Sequence, residues 1–144
     1  MRLRRSAPSE RRHETGQSLT ELAIAMTVIL IVLAGVVDLG RLYYTYLALQ
    51  SAAAEGAAYG SIAPTDAAGI VTRARGESPS GIVDWSNATI TSAVVGQACT
   101  GGAIRVEAET TYTLITPFIG AIAGGQQLSL RASVVNTILS PVCP

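Results

Sequence analysis

The sequence predicts an α+β chain. A long N-terminal helix, transmembrane and then amphipathic, is followed by a short helix and a small antiparallel sheet of about three strands. Three observations carry this. Residues 22–37, LAIAMTVILIVLAGVV, are sixteen consecutive positions without a charge. From residue 17 to about residue 58 there is neither proline nor a turn cluster, and apolar positions recur every three or four residues. Beyond residue 87, three segments alternate apolar and polar residues with period two, the pattern of a half-buried antiparallel sheet.

Composition agrees. The 144 residues are 49% hydrophobic and only 14% charged, against roughly 25% charged in an average soluble domain. This excludes a disordered chain and argues against a wholly soluble one. Formal net charge is zero but unevenly spread. Residues 1–16 hold five arginines against Glu10 and Glu14, whereas residues 17–144 hold five arginines against eight acids. The basic part is short and the remainder mildly acidic, so no nucleic-acid partner is expected.

The uncharged run spans about 24 Å as a helix, short against a bilayer core of about 30 Å but adequate where flanking residues snorkel or the bilayer thins. The expected membrane span is 22–39. A buried helix of a soluble protein is the alternative, and the flanks oppose it. Arg2, Arg4, Arg5, Arg11 and Arg12 lie upstream, and Arg41, Tyr43, Tyr44 and Tyr46 lie downstream, where interface anchors belong. The arginine excess puts the N-terminus in the cytoplasm and the C-terminal region outside. A conventional secretory signal has small residues after its apolar run, and here Val36-Val37-Asp38-Leu39-Gly40-Arg41 follows. The small residue sits before the run, at Gly16. A cut there leaves the apolar helix on the mature chain, which then begins at Gln17.

In the second half of the long helix, Leu42, Tyr46, Leu49, Ala53 and Ala57 follow the helical period, while Ala48, Ala52, Gly56 and Gly60 form a stripe of small residues at spacing four. Such a stripe admits a close neighbour; general helix preference accounts for the alanines but not for the register of the two glycines. Asp38 and Arg41 are three apart and within pairing reach, although two solvated charges at the interface is the plainer expectation.

The outer region, 61–144, starts with Thr65 or Asp66 as cap of a short helix over 67–75, then a loop at 76–81. Strands are expected at 88–95, 103–112 and 128–138, with a hairpin at Gly101-Gly102 and a helical turn within 117–123. The long helix would cover the apolar face, Ile104, Val106 and Ala108 on the central strand, leaving Arg105, Glu107 and Glu109 on the other. Cys99 and Cys143 both lie just beyond a strand, and in an outward-facing domain a disulfide between them is the expected state, two buried thiols the alternative.

Few residues in the sequence are arranged for chemistry. The single histidine, His13, is in the basic leader, and no nucleophile triad, metal-ligand spacing or phosphate-binding loop is present. Glu107 and Glu109 read as a solvated sheet face. Asn87-Ala88-Thr89 matches a glycosylation acceptor, a pattern frequent by chance. Neither enzymatic activity, a cofactor nor a metal is expected. Glu21 sits at the cytoplasmic edge of the apolar run. As an acid near a helix N-terminus it needs no special role. If helices leave the bilayer and bundle, however, its carboxylate is buried and needs a cation, which the new α-amino group at Gln17 of a neighbouring chain would supply.

The string from Gly16-Gln17-Ser18-Leu19-Thr20-Glu21 into the apolar run resembles the class III leader of type IV pilin-like proteins. Continued through Asp38-x-Gly40-Arg41 to Tyr59-Gly60, it resembles the TadE-like pseudopilins of tight-adherence (Tad) pilus systems. Leu22 stands where many relatives have an aromatic residue, and the helix lacks the proline many of them carry, so no proline kink is expected. The resemblance implies a pilin-like fold, cleavage after Gly16 by a prepilin leader peptidase, and a role for Glu21 in assembly. The implied partners are the cytoplasmic membrane, other pilins or pseudopilins and the pilus assembly platform. The expected location is the cytoplasmic membrane, single-pass, with the cell-surface pilus as a further destination. The rival reading is an uncleaved single-pass protein whose outer domain is a binding or scaffold module.

Overall fold

Helix α1 (Arg11–Gly60) is the first element of the computed structural model, which describes residues 11–77, 83–116, 119–121 and 124–143. It starts six residues before the expected Gln17. Residues 11–15 contain no proline and are mostly arginine and glutamate, good helix formers; Gly16 costs a helix only about 1 kcal/mol. The expected leader arginines Arg2, Arg4 and Arg5 lie outside the described residues. The chain divides into two compact units, Met1–Val37 and Asp38–Pro144.

In the first unit the apolar run makes no core. Leu22, Val28, Leu30 and Val32 are each more than half exposed, and only 6% of the most apolar 18-residue window is buried. That window has a mean hydropathy of 2.7, so α1 is long and apolar enough to cross a membrane. Thr27 does not interrupt it, because its hydroxyl donates to the Ala23 carbonyl at 2.8 Å.

The second unit is built on the later half of α1. Leu49, Ala52, Ala53 and Ala57 are fully buried, forming one face at the helical period. After Gly60 the helix is closed by Ser61 N–H donating to the Ala57 carbonyl at 2.9 Å, and Pro64 follows shortly after. Helix α2 (Ala67–Glu77) has Asp66 as its cap: the carboxylate accepts the Gly69 N–H at 2.9 Å and the Tyr59 hydroxyl at 2.8 Å. α2 runs two residues past the expected Arg75 and buries Ile70 and Ala74.

Strands β1 (Ala88–Val95), β2 (Ala103–Thr113) and β3 (Gln127–Thr137) form an antiparallel sheet in the order β1-β2-β3. The expected strands thus appear within one residue of their anticipated ends. Register is fixed by the alternation: Ile90, Ala108 and Ala132 are opposed on the inner face, and Thr89, Glu109 and Arg131 on the outer. The β1–β2 connection turns at Gly96 and Gly101, whose φ values of +86° and +101° favour glycine. Of the anticipated turn at 117–123, residues 119–121 are helical and the rest lie outside the described residues, as does most of the expected 76–81 loop.

The small-residue stripe on α1 is where this core closes. A Cβ at Gly56 would stand 3.2 Å from both Ala74 Cβ and Val106 Cγ1, and one at Gly60 would stand 2.9 Å from Ile104 Cγ1. The close neighbours are side chains of the same unit, from α2 and β2. Leu49, Ile70, Ile104, Val106 and Ile138 are the large apolar side chains fully buried here, each contributing about 1.5–3 kcal/mol, and much of the rest of the core is alanine. A core this small gains from covalent help.

Candidate functional site

Gly16 and Gln17 lie within α1 and are exposed, and a Cβ at Gly16 would meet nothing within 4 Å. Thr20 Oγ1 donates to the Gly16 carbonyl at 3.1 Å and the Gln17 carbonyl at 2.8 Å, so the peptide bond following Gly16 sits in hydrogen-bonded helix. Glu21 is exposed on the same helix, and no ion pair forms to it among the described residues. Among the described residues, glycine at 16 therefore has no packing reason of its own.

The expected interface residues separate into two groups. Tyr43, Tyr44 and Tyr46 are exposed, with the first two rings edge to face at 6.4 Å. Arg41 instead lies over the Tyr112 ring of β2 at 5.8 Å from its centroid, a cation–π contact that brings this anchor onto the outer unit.

Asp38 corrects the expectation of a solvated charge. It is 2% exposed, the most deeply buried charged residue described, and it does not ion-pair with Arg41 among the described residues. Its two carboxylate oxygens accept the backbone N–H groups of Ile115 at 3.2 Å and Thr116 at 2.8 Å, in the segment between β2 and β3. The Tyr112 hydroxyl lies 3.4 Å from the Asp38 carbonyl. The physical reason is that the turn after β2 leaves two N–H groups without sheet partners, and a carboxylate on the adjacent helix satisfies both. Asp38 thereby ties α1 to the β2–β3 connection. Sequence reasoning missed this because the partners are backbone atoms 77 and 78 positions away. The available signal was an acid directly after an uncharged run, where a charge needs a reason.

At the opposite end of the sheet, Cys99 and Cys143 are bridged, with Cα atoms 4.8 Å apart. The tail leading to Cys143 is already fastened: Ile138 N–H donates to Gly102 O at 2.9 Å, Leu139 N–H to Ser61 O at 2.7 Å, and Thr100 N–H to Ser140 O at 2.8 Å. The bridge locks a strap that joins the β1–β2 loop to the end of α1.

The outer sheet face is an ion-pair surface. Glu109 accepts the Ser129 hydroxyl at 2.6 Å and Arg131 at 3.1 Å, and Arg131 also lies 3.8 Å from Glu107. The Ser129 hydroxyl and then Arg131 hold the Glu109 carboxyl below its ordinary range. A Glu109 carboxyl held ionised in this way is unsuited to donating a proton. No group of three or more metal-ligating side chains occurs among the described residues.

An exposed helix long and apolar enough to cross a membrane, whose later half is the spine of a small disulfide-strapped α+β domain, is the architecture of a single-span membrane protein. Over residues 16–58 the chain matches the family model described as TadE-like protein, so the segment bearing Gly16, Glu21, Asp38 and Arg41 is TadE-like. No curated protein and no solved structure matches the chain. Together the family match and the apolar helix support a Tad pilus-associated membrane protein.

Proposed function

We propose that this chain is a minor pilin or pseudopilin of a Tad-type pilus, a structural subunit rather than an enzyme. The observation that carries the reading is the coincidence of the TadE-like match at 16–58 with a helix whose apolar half finds no partner among the described residues. The chain waits in the cytoplasmic membrane with its N-terminus inside. A prepilin leader peptidase removes residues 1–16. The apolar helix then exchanges lipid for the helices of sister subunits, with Glu21 meeting the new α-amino group of a neighbour. The outer domain remains exposed as the surface of the assembly.

The test is N-terminal mass spectrometry of the protein from piliated cells, paired with Glu21→Gln. The mature chain is expected to begin at Gln17, and Gly16→Ala to leave it unprocessed. Since a Cβ at Gly16 meets nothing within 4 Å among the described residues, a defect in that variant is not one of packing there. Glu21→Gln is expected to stay membrane-inserted but drop out of filaments. An intact N-terminus with Glu21→Gln fully functional favours the fixed single-pass scaffold instead.

A further inference from the structure

A cavity of about 420 Å³ opens within the outer unit, between α1, the later part of β2 and the segment at Val83 and Asp84. This is within the usual size range of small-ligand sites. Its wall includes Arg41, Tyr44, Thr45, Asp84, Thr110 and Tyr112.

The charges in that wall are committed unequally. Asp84 already accepts the Ser86 N–H at 3.0 Å, the Ser86 hydroxyl at 2.6 Å and the Asn87 amide at 2.8 Å. It has little left to offer a cation. Arg41 is the reverse case. Asp38, one turn earlier, spends its carboxylate on the Ile115 and Thr116 N–H groups, and no carboxylate lies within 4.0 Å of the Arg41 guanidinium among the described residues. Tyr112 holds that guanidinium from one side only, by its ring face. The hydroxyls of Tyr44 and Thr110 find no protein acceptor among the described residues. The cavity therefore presents a fork of guanidinium donors with hydroxyl donors beside it, the complement of a phosphate oxyanion.

Two sources would supply such a group, a lipid headgroup or a free phosphate. Arg41 is four positions after Val37, the last residue of the uncharged run. In a membrane-inserted chain that is headgroup level. We propose that the cavity beside Arg41 binds the phosphodiester of an anionic phospholipid, Arg41 supplying the charge and Tyr44 and Thr110 the flanking hydroxyl donors. This rests on the membrane-inserted reading of the chain.

The experiment reconstitutes the full chain into nanodiscs of equal phosphatidylglycerol and phosphatidylcholine, then counts the lipids it retains on release into detergent by native mass spectrometry. Phosphatidylglycerol is expected to be retained about tenfold over phosphatidylcholine, which has the same phosphodiester but brings a trimethylammonium cation toward Arg41 and so cancels the attraction. Arg41→Gln is expected to abolish the preference and Arg41→Lys to keep part of it. Tyr44→Phe, which removes one exposed hydroxyl, is expected to weaken it and provides a second reading should Arg41→Gln not fold. Equal retention of both lipids by an inserted wild-type chain overturns the inference and leaves the membrane reading intact. Failure to enter the nanodisc overturns both. Displacement of the lipid by glycerol phosphate overturns the assignment to lipid.

Discussion

Replacing Gly60 by alanine is the sharpest probe of how the outer unit is built. At an open helical site this change is stabilising by about 0.5–1 kcal/mol, because glycine loses the most backbone freedom on folding. At Gly60 the new Cβ would stand 2.9 Å from Ile104 Cγ1 and 3.1 Å from Ile70 Cδ1. Ile104 has no room to retreat: it is 1% exposed, on the central strand, paired with Val94 on one side and Asn136 on the other. Overpacking of this kind costs about 1–3 kcal/mol. At the last residue of α1 the helical gain is small, so the expected net loss is about 1–2 kcal/mol. Trp85 is the chain's only tryptophan and packs against this core, so its fluorescence reports the unit directly. In urea denaturation of the full chain in detergent micelles, the Trp85 transition should move down by about 1 M. Gly56→Ala, whose nearest contacts are 3.2 Å, should shift it little, and Gly16→Ala, with open space around it, not at all. Gly60→Ala as stable as the parent chain would mean that Ile70 and Ile104 do not stand over α1, and that the small-residue stripe serves some other neighbour.

Removing the Asp38 carboxylate should loosen the segment after β2 selectively. Amide hydrogen exchange at Ile115 and Thr116 should quicken in Asp38→Asn, which keeps one acceptor, and more in Asp38→Ala, with the β1–β2 pairing protected as before. Reducing the Cys99–Cys143 bridge opens a loop of 44 residues and should lower stability by up to about 4 kcal/mol in the same Trp85 assay. Acid should destabilise the outer unit through three carboxyls held below their ordinary range. Asp66 is held there by the Gly69 N–H and then the Tyr59 hydroxyl, Asp84 by Ser86, and Glu109 by the Ser129 hydroxyl and then Arg131. Because the folded values are the lower ones, the unfolded chain takes up protons first. The contribution is complete only above the unfolded values, from about pH 5 upward, and is lost as pH falls through the folded values. Denaturation midpoints from pH 3 to pH 8 should therefore fall only at the acid end.

By itself the sequence determined everything that repeats along the chain. The uncharged run, the helical period through Ala57 and the alternation of Ile104, Val106 and Ala108 with Arg105, Glu107 and Glu109 are local patterns, each enforced by the geometry of one element. Strand ends were readable to within a residue because glycines and polar clusters bound them. The tertiary structure alone decided what the isolated residues do. Asp38 looked like a solvated interface charge and is a buried acceptor, since its partners are N–H groups that only the return of β2 brings near. Gly56 and Gly60 announced a close neighbour, but that it is Ile70, Ile104 and Val106 depends on how α2 and the sheet close over α1. Arg41 reads as a membrane anchor from its position and faces a cavity only because Tyr112 comes to lie beneath it. Periodicity encodes which face is buried; which atoms meet across that face is set by the packing of elements distant in sequence.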